Sequence, residues 1–335
     1  MTKQMKEPST NSVELDKMKI DDAISASGKF DEDGIFIKQW EGGESESENK
    51  DKYIAEISKN SCKYIGTIDN KFQKEGYGIQ IFENGDKYFG QFTDDERNED
   101  GIYFWAPTKN EDRIQSEVYF GNWKNNKKDV NGMYIWVDEP EGNMEYENAN
   151  FDAYVGEFED EKYIRGTYLS KDGDYFCLYH GNFDRTGKKT DENAFFYTSK
   201  TNRIFFGKMI KDYLVSGFLG SVDLDSDDVK DLMYCDFNED GSVNEILETN
   251  KLDQEDVEDL CKKISLFKSV IFDGNYFLKV YNKYAKAKYK ADNVFCEMNV
   301  FDDKDAYRDI QKLLSRYKRN NIYMYIEENF FGREF

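Results

Sequence analysis

Histidine is almost missing from this 335-residue chain; His180 is the only one. A Ser-His-Asp or Cys-His arrangement would need it beside a nucleophile. The nearest thiol, Cys177, lies three residues upstream, and by strand parity it faces the opposite way. His180 therefore reads as a strand histidine that faces solvent or a neighbour. Cysteine is sparse and scattered: Cys62, Cys177, Cys235, Cys261 and Cys296, with no CxxC pair. One histidine and such thiols cannot build a zinc site, and nothing suggests a disulfide framework. Reduced cytosolic thiols are the expectation. No apolar run approaches the ~20 residues of a membrane span. The opening MTKQMKEPSTNSVELDKMKIDDA lacks an apolar signal core and carries acids that a mitochondrial presequence avoids. A soluble intracellular protein is expected. Phosphate loops are missing too: GYG is not followed by GK[ST], and no GxGxxG opens a helix.

What the chain does have is aromatics and acid. It holds 26 Phe, 24 Tyr and 4 Trp but only 3 Pro, and its net charge is −22. Residues 252–335 hold 15 Lys/Arg and 15 Asp/Glu, so the whole acidic excess lies in residues 1–251. Such a surface repels nucleic acid and anionic lipid, and it favours basic protein partners. The change of charge marks a boundary near residue 250.

A short phrase recurs. YIGTI (64–68) returns as YFGQF (88–92), YFGNW (119–123), YVGEF (154–158), YHGNF (179–183) and FFGKM (205–209). A worn copy, MYCDF (233–237), puts Cys235 in the glycine slot. The starts are 24, 31, 35, 25, 26 and 28 residues apart, the signature of stacked supersecondary units. Each phrase reads as a strand. In YFGQF, period two places Tyr88, Gly90 and Phe92 on one face and Phe89 and Gln91 on the other. A glycine between two rings leaves bare backbone, which a ring from the neighbouring unit is expected to cover. A second strand follows each phrase: GYGIQIF (76–82), GIYFW (101–105), GMYIW (132–136), GTYLS (166–170) and GFLGS (217–221). ENGD (83–86) and KDGD (171–174) supply turns, whereas TDDERNED and VDEPEGNMEYENANFD read as longer ones. Each unit is then a β-hairpin that must stack to hide its apolar face.

These residues resemble the MORN repeat, whose pattern is roughly YxGxF…GxGxxxxxxG. On that pattern fall Tyr64, Gly66, Gly76, Gly78, Gly85, Tyr88, Gly90 and Phe92. Later copies carry the core at Tyr119, Gly121 and Trp123, at Tyr154, Gly156 and Phe158, at Tyr179, Gly181 and Phe183, and at Gly207, and they lose one glycine of the GxG pair. The resemblance implies a mainly β fold, an elongated, twisted antiparallel sheet of consecutive hairpins. It does not by itself imply an activity. Some MORN proteins carry a lipid kinase or a SET methyltransferase domain. The segment after the repeats is too short for a kinase and has no histidine, nor the asparagine-histidine signature of SET enzymes.

The expected organisation is a disordered or weakly helical tail (1–27), an imperfect first repeat with an acidic linker (28–63), the array (64–250) and a small helical region (251–335). In the last, Val257, Leu260, Cys261, Ile264, Phe267 and Ile271 recur at helical spacing after a candidate N-cap, Asp253. FLKVYNKYAKAKYK (277–290) reads as a second helix, and Tyr307, Ile310, Leu314 and Tyr317 mark a third. Such a unit is expected to cap one end of the sheet. Its lysines Lys279, Lys283, Lys286, Lys288 and Lys290 form either a solvated helix face or a patch for an acidic protein or anionic lipid. The loop after Asp236 holds EF-hand residue types at positions 1, 3, 5 and 6, but its position 12 is Leu247 and a strand phrase precedes it. It reads as a hairpin turn rather than a calcium site. The sequence thus points to a non-enzymatic scaffold without cofactor or metal, which would bind other proteins through one aromatic sheet face and the tail. The resemblance extends to MORN proteins of cilia, flagella and other cytoskeletal assemblies, and it implies an assembly of that kind. A peripheral membrane tether and a regulatory subunit of an enzyme complex are the alternatives.

Overall fold

In a computed structural model, the described residues are 29–30, 35–39, 53–59, 62–69, 71–110, 113–140, 150–223 and 228–247. The tail, the linker and residues 251–335, with the five lysines, lie outside them. Every named element is a strand: β1 (Lys29–Phe30), β2 (Ile35–Gln39), β3 (Tyr53–Lys59), β4 (Cys62–Ile68), β5 (Lys74–Ile81), β6 (Lys87–Thr93), β7 (Glu96–Phe104), β8 (Thr108–Asn110), β9 (Arg113–Lys124), β10 (Lys127–Pro140), β11 (Asn150–Glu159), β12 (Lys162–Asp172), β13 (Tyr175–Asn182), β14 (Asp191–Thr198), β15 (Arg203–Ile210), β16 (Tyr213–Asp223), β17 (Asp228–Phe237) and β18 (Val243–Leu247). Each pairs antiparallel with the next, save that β7 passes over β8 to pair with β9, giving one sheet of consecutive hairpins. The short β8 continues the line of β7 along β9.

The turns explain the connectivity. Asp94–Asp95, Asn125–Asn126, Asp160–Glu161 and Lys211–Asp212 all have both residues at positive φ, between 49° and 74°. Two such residues make the tight hairpin turn whose twist matches that of the strands. TDDERNED is therefore not a long turn. Only Asp94 and Asp95 turn, and the strand resumes at Glu96 because Asp tolerates the left-handed region. Likewise β10 runs on to Pro140 and β11 starts at Asn150, so only 141–149 of the other long segment falls outside the described strands. The loop 238–242 is a hairpin turn between β17 and β18, with Gly241 at φ 81°.

Register gives the sheet its organising line. Gly66 pairs with Gly78, Gly78 with Gly90, Gly90 with Gly101, Gly101 with Gly121, Gly121 with Gly132, Gly132 with Gly156, Gly156 with Gly166, and Gly166 with Gly181. Farther on, Ala194, Gly207, Gly217 and Cys235 continue the file, with Cys235 in the glycine slot. A continuous stripe of backbone with little or no side chain thus crosses the sheet. One face carries this stripe and the repeat tyrosines. The other carries aliphatic residues and Phe, among them Phe89, Ile102, Val118, Phe120, Ile135, Val155 and Leu169, and these are buried as well. Neither face of the central strands is the poorly covered one that a stacked-hairpin sheet leads one to expect.

Candidate functional site

The glycine stripe is the floor of an aromatic ridge. Tyr64, Tyr88, Tyr119, Tyr154 and Tyr179 each lie over the glycine two residues on. The first four also cover the glycine across the strand pair; the nearest atoms to a Cβ built at Gly132 all belong to Tyr119, with its Cζ at 2.6 Å. The covering ring is therefore the unit's own tyrosine, not one from the neighbouring unit. An i, i+2 pair shares a face, and the missing Cβ lets the ring fold back along its own strand. The glycines also bring backbones together: a Cβ on Gly90 would lie 2.6 Å from the Cα of Gly101.

Each hydroxyl then finds a fixed partner. Tyr64, Tyr88, Tyr119, Tyr154 and Tyr179 donate to the carbonyls of Thr67, Gln91, Asn122, Glu157 and Asn182, at 2.6–3.0 Å. All five acceptors lie three residues on. The strand register slips beside several of them, as at Gly66/Ile68, Gly90/Gln91 and Gly156/Phe158. A bulge breaks the ladder locally, so its carbonyl accepts a side-chain donor. This is why the motif wants Tyr rather than Phe. Burial pushes the hydroxyl pKa of Tyr88 and Tyr179 up.

A second tier of rings packs on this floor. Phe92, Trp123 and Phe158 stand edge-on to their own tyrosines at 5.0–5.1 Å. Half-buried Trp105, Trp136 and Tyr163 join buried Tyr103 and Tyr134 to complete the ridge: Tyr103 meets Trp105 at 4.6 Å, Trp105 stacks on Tyr134 at 5.0 Å, Tyr134 meets Trp136 at 4.0 Å, and Trp136 meets Tyr163 at 6.4 Å. Two carboxylates hold tyrosine hydroxyls here. Tyr103 donates to Asp86 at 2.7 Å, and Tyr134 donates to Glu117. Burial first, and these carboxylates second, raise both phenol pKa values.

The sequence reading missed four cations on the ridge. Lys74 lies over Tyr64 and Phe92, Arg97 over Trp123 at 4.4 Å, Lys128 over Tyr134 at 4.5 Å, and Lys189 over Tyr168 and Tyr179. Each is also clamped by the next tight turn. The backbone N–H groups of Asp95, Asn126, Glu161 and Asp212 donate to the carbonyls of Lys74, Arg97, Lys128 and Lys189 in turn. The side chains of those same turn residues accept from the backbone N–H of the four cationic residues. Lys128 Nζ adds an ion pair with Glu161 at 2.8 Å. Burial lowers the pKa of Lys74 despite nearby Asp95. A basic residue nine or ten positions after the repeat tyrosine is the signal that would have found them; after Tyr154, Tyr163 takes that place.

The other predicted residues separate by role. Gly76 is outside the file, at φ 82° in the bulge opposite Gly66, and Gly85 closes the β5–β6 turn at φ 87°. In later copies the Gly76 role falls to Glu99 and Val130, both at positive φ. Phe183 packs on the ridge between Tyr154 and Tyr179, and Gly207 pairs with Gly217 beneath Phe205. His180 is buried on the aliphatic face, its Nδ1 3.0 Å from Thr167 Oγ1. Cys177 is in register with Ser170 and Thr198 on the tyrosine face, so the two are not brought together.

No curated protein matches the chain. The family model for the MORN repeat matches residues 73–87 and 119–139. Repeats of this kind are common in scaffold and membrane-binding proteins. Both matched stretches lie on the tyrosine–glycine ladder, and the chain carries MORN repeats there.

Proposed function

We propose that this protein is a non-enzymatic scaffold that holds other proteins in a larger assembly through its aromatic ridge. The observation that carries this reading is the outer ring tier. Trp105, Trp136 and Tyr163 are half-buried; Trp105 and Trp136 flank buried Tyr134, Tyr163 stands edge-on to Trp136, and all three pack against the buried floor. Rigid Trp and Tyr rings with one open side are what protein interfaces use as anchors. The four cations do not compete for this role, because turn residues and rings already engage them. The acidic excess of residues 1–251 favours a partner with a basic rim around an apolar centre. On this reading the assembly is cytoskeletal, and a cilium or flagellum is one setting for it.

The test is detergent extraction of the native cells, comparing the wild-type chain with Trp105→Ser/Trp136→Ser. The wild-type protein is expected in the detergent-insoluble pellet, leaving it only at high salt, with the variant in the supernatant. Release of both by mild detergent alone, together with membrane proteins, would favour the tether. Constant co-purification with one enzyme would favour the regulatory subunit.

A further inference from the structure

The aliphatic face is buried, yet no described element lies on it. Strand packing among the described residues is lateral, each strand against its sheet neighbours. The two aromatic clusters belong to the other face. A leucine or isoleucine on an open sheet keeps part of its surface in water. Here Val118, Phe120, Ile135, Ala153 and Leu169 are 0% exposed, and Ile102, Val155 and Leu178 are at most 2%. These eight lie on β7 and β9–β13, six neighbouring strands. Covering fades toward the C-terminal edge, where Phe206, Phe218 and Tyr234 are only half-buried.

We propose that residues 251–335 of the same chain form the layer over this face, rather than a cap at the end of the sheet. The segment follows directly on the last strand, β18. It supplies the matching surface: Val257, Leu260, Cys261, Ile264, Phe267 and Ile271 make one apolar stripe. Size fits as well. Helices over 253–271 and 277–290 would total on the order of 50 Å at about 1.5 Å per residue. Ten strands at about 4.8 Å spacing, the extent from β5 to β15 without β8, span roughly 43 Å. Charge also fits, since 15 basic and 15 acidic residues make this segment neutral beside an acidic sheet. Residues 1–27 hold no comparable stripe. The arrangement leaves the aromatic ridge as the face open to partners.

Thiol labelling of the full-length protein tests this, read by peptide mass spectrometry. Three thiols report separately: native Cys261 on the stripe, native Cys235 buried on the ring face, and one introduced by Ala153→Cys on the aliphatic face. All three should react at least about 100-fold slower than in denaturant. Ile264→Lys should then expose Cys261 and the thiol at 153 together while Cys235 stays protected. If Cys235 opens too, the milder Phe267→Ala is scored by the same three thiols. The proposal fails if Cys261 reacts at the denatured rate in the parent chain, or if the thiol at 153 stays protected when Cys261 is exposed. It also fails if protection at 153 falls on dilution, which would make a second copy the cover.

Discussion

Consider removing one hydroxyl. Tyr88 is fully buried, its ring lies over Gly90 and Gly101, and its hydroxyl donates to the Gln91 carbonyl at 3.0 Å. Tyr88→Phe keeps the ring and its edge contacts with Phe92 and Trp123, at 5.0 and 5.5 Å. It loses only the hydrogen bond, a cost of about 1 kcal/mol, or up to about 3 if the bulge carbonyl is left without a donor. Tyr88→Ala also empties the space above the glycines and should cost about 3–5 kcal/mol. In an array of this size each kcal/mol lowers Tm by about 2–4 °C. The reverse change is available at Phe205, a repeat position that has a ring but no hydroxyl, where Phe205→Tyr should gain about 1 kcal/mol. Thermal and urea unfolding followed by far-UV circular dichroism would read all three. The assignment is refuted if Tyr88→Phe is as damaging as Tyr88→Ala, or if it is neutral.

Other perturbations probe other parts of the sheet. Val130 sits at φ 58° with 56% of its surface exposed, so Val130→Gly should stabilise by about 1 kcal/mol in urea titration, since left-handed geometry is costly for a β-branched residue. Glu161→Ala removes the partner of the Lys128 ammonium and the acceptor of its N–H, and should destabilise by about 2 kcal/mol with a shift in tryptophan emission from Trp105. Burial raises the phenol pKa values of Tyr88, Tyr103, Tyr134, Tyr163, Tyr168 and Tyr179, and pushes that of Tyr197 up to about 12. A raised folded pKa contributes stability that is whole below the unfolded value near 10 and is lost as pH rises through the folded one. Alkaline unfolding should therefore begin above about pH 10, with buried phenolate absorbance at 295 nm appearing together with loss of strand signal. Phenolate that forms well before that loss would contradict the burial.

Much of this fold was legible because its code is local. Period two and the recurring Tyr-x-Gly fixed strand, face and hairpin without any long-range information. Even Cys235 could be placed in the glycine slot by phrase alignment, and the register agrees. What escaped depended on geometry between strands. Nothing in YFGQF says that Tyr88 folds back over its own glycine, because that follows from a bulge and a close backbone approach. TDDERNED looked like a long loop because acids dominate it, yet two aspartates at positive φ suffice to turn the chain. Lys74, Arg97, Lys128 and Lys189 were hidden among 46 basic residues, and only the pairing register shows that they sit on rings. The ridge's outer rings were visible as aromatic residues, but which side of the sheet they share came from the register.

The most direct measurement is a double-mutant cycle between Gly132 and Tyr119. The atoms nearest to a Cβ at Gly132 are those of the Tyr119 ring, and no unusual φ confounds the change. Gly132→Ala should cost about 3 kcal/mol with Tyr119 in place, by overpacking. In a Tyr119→Ala background the same change should cost less than about 1 kcal/mol, a coupling of roughly 2 kcal/mol or more. That result would show the glycine file to be the seat of the tyrosine ladder. Equal costs in the two backgrounds would mean that the glycines serve the strands alone, and the ridge would need another foundation.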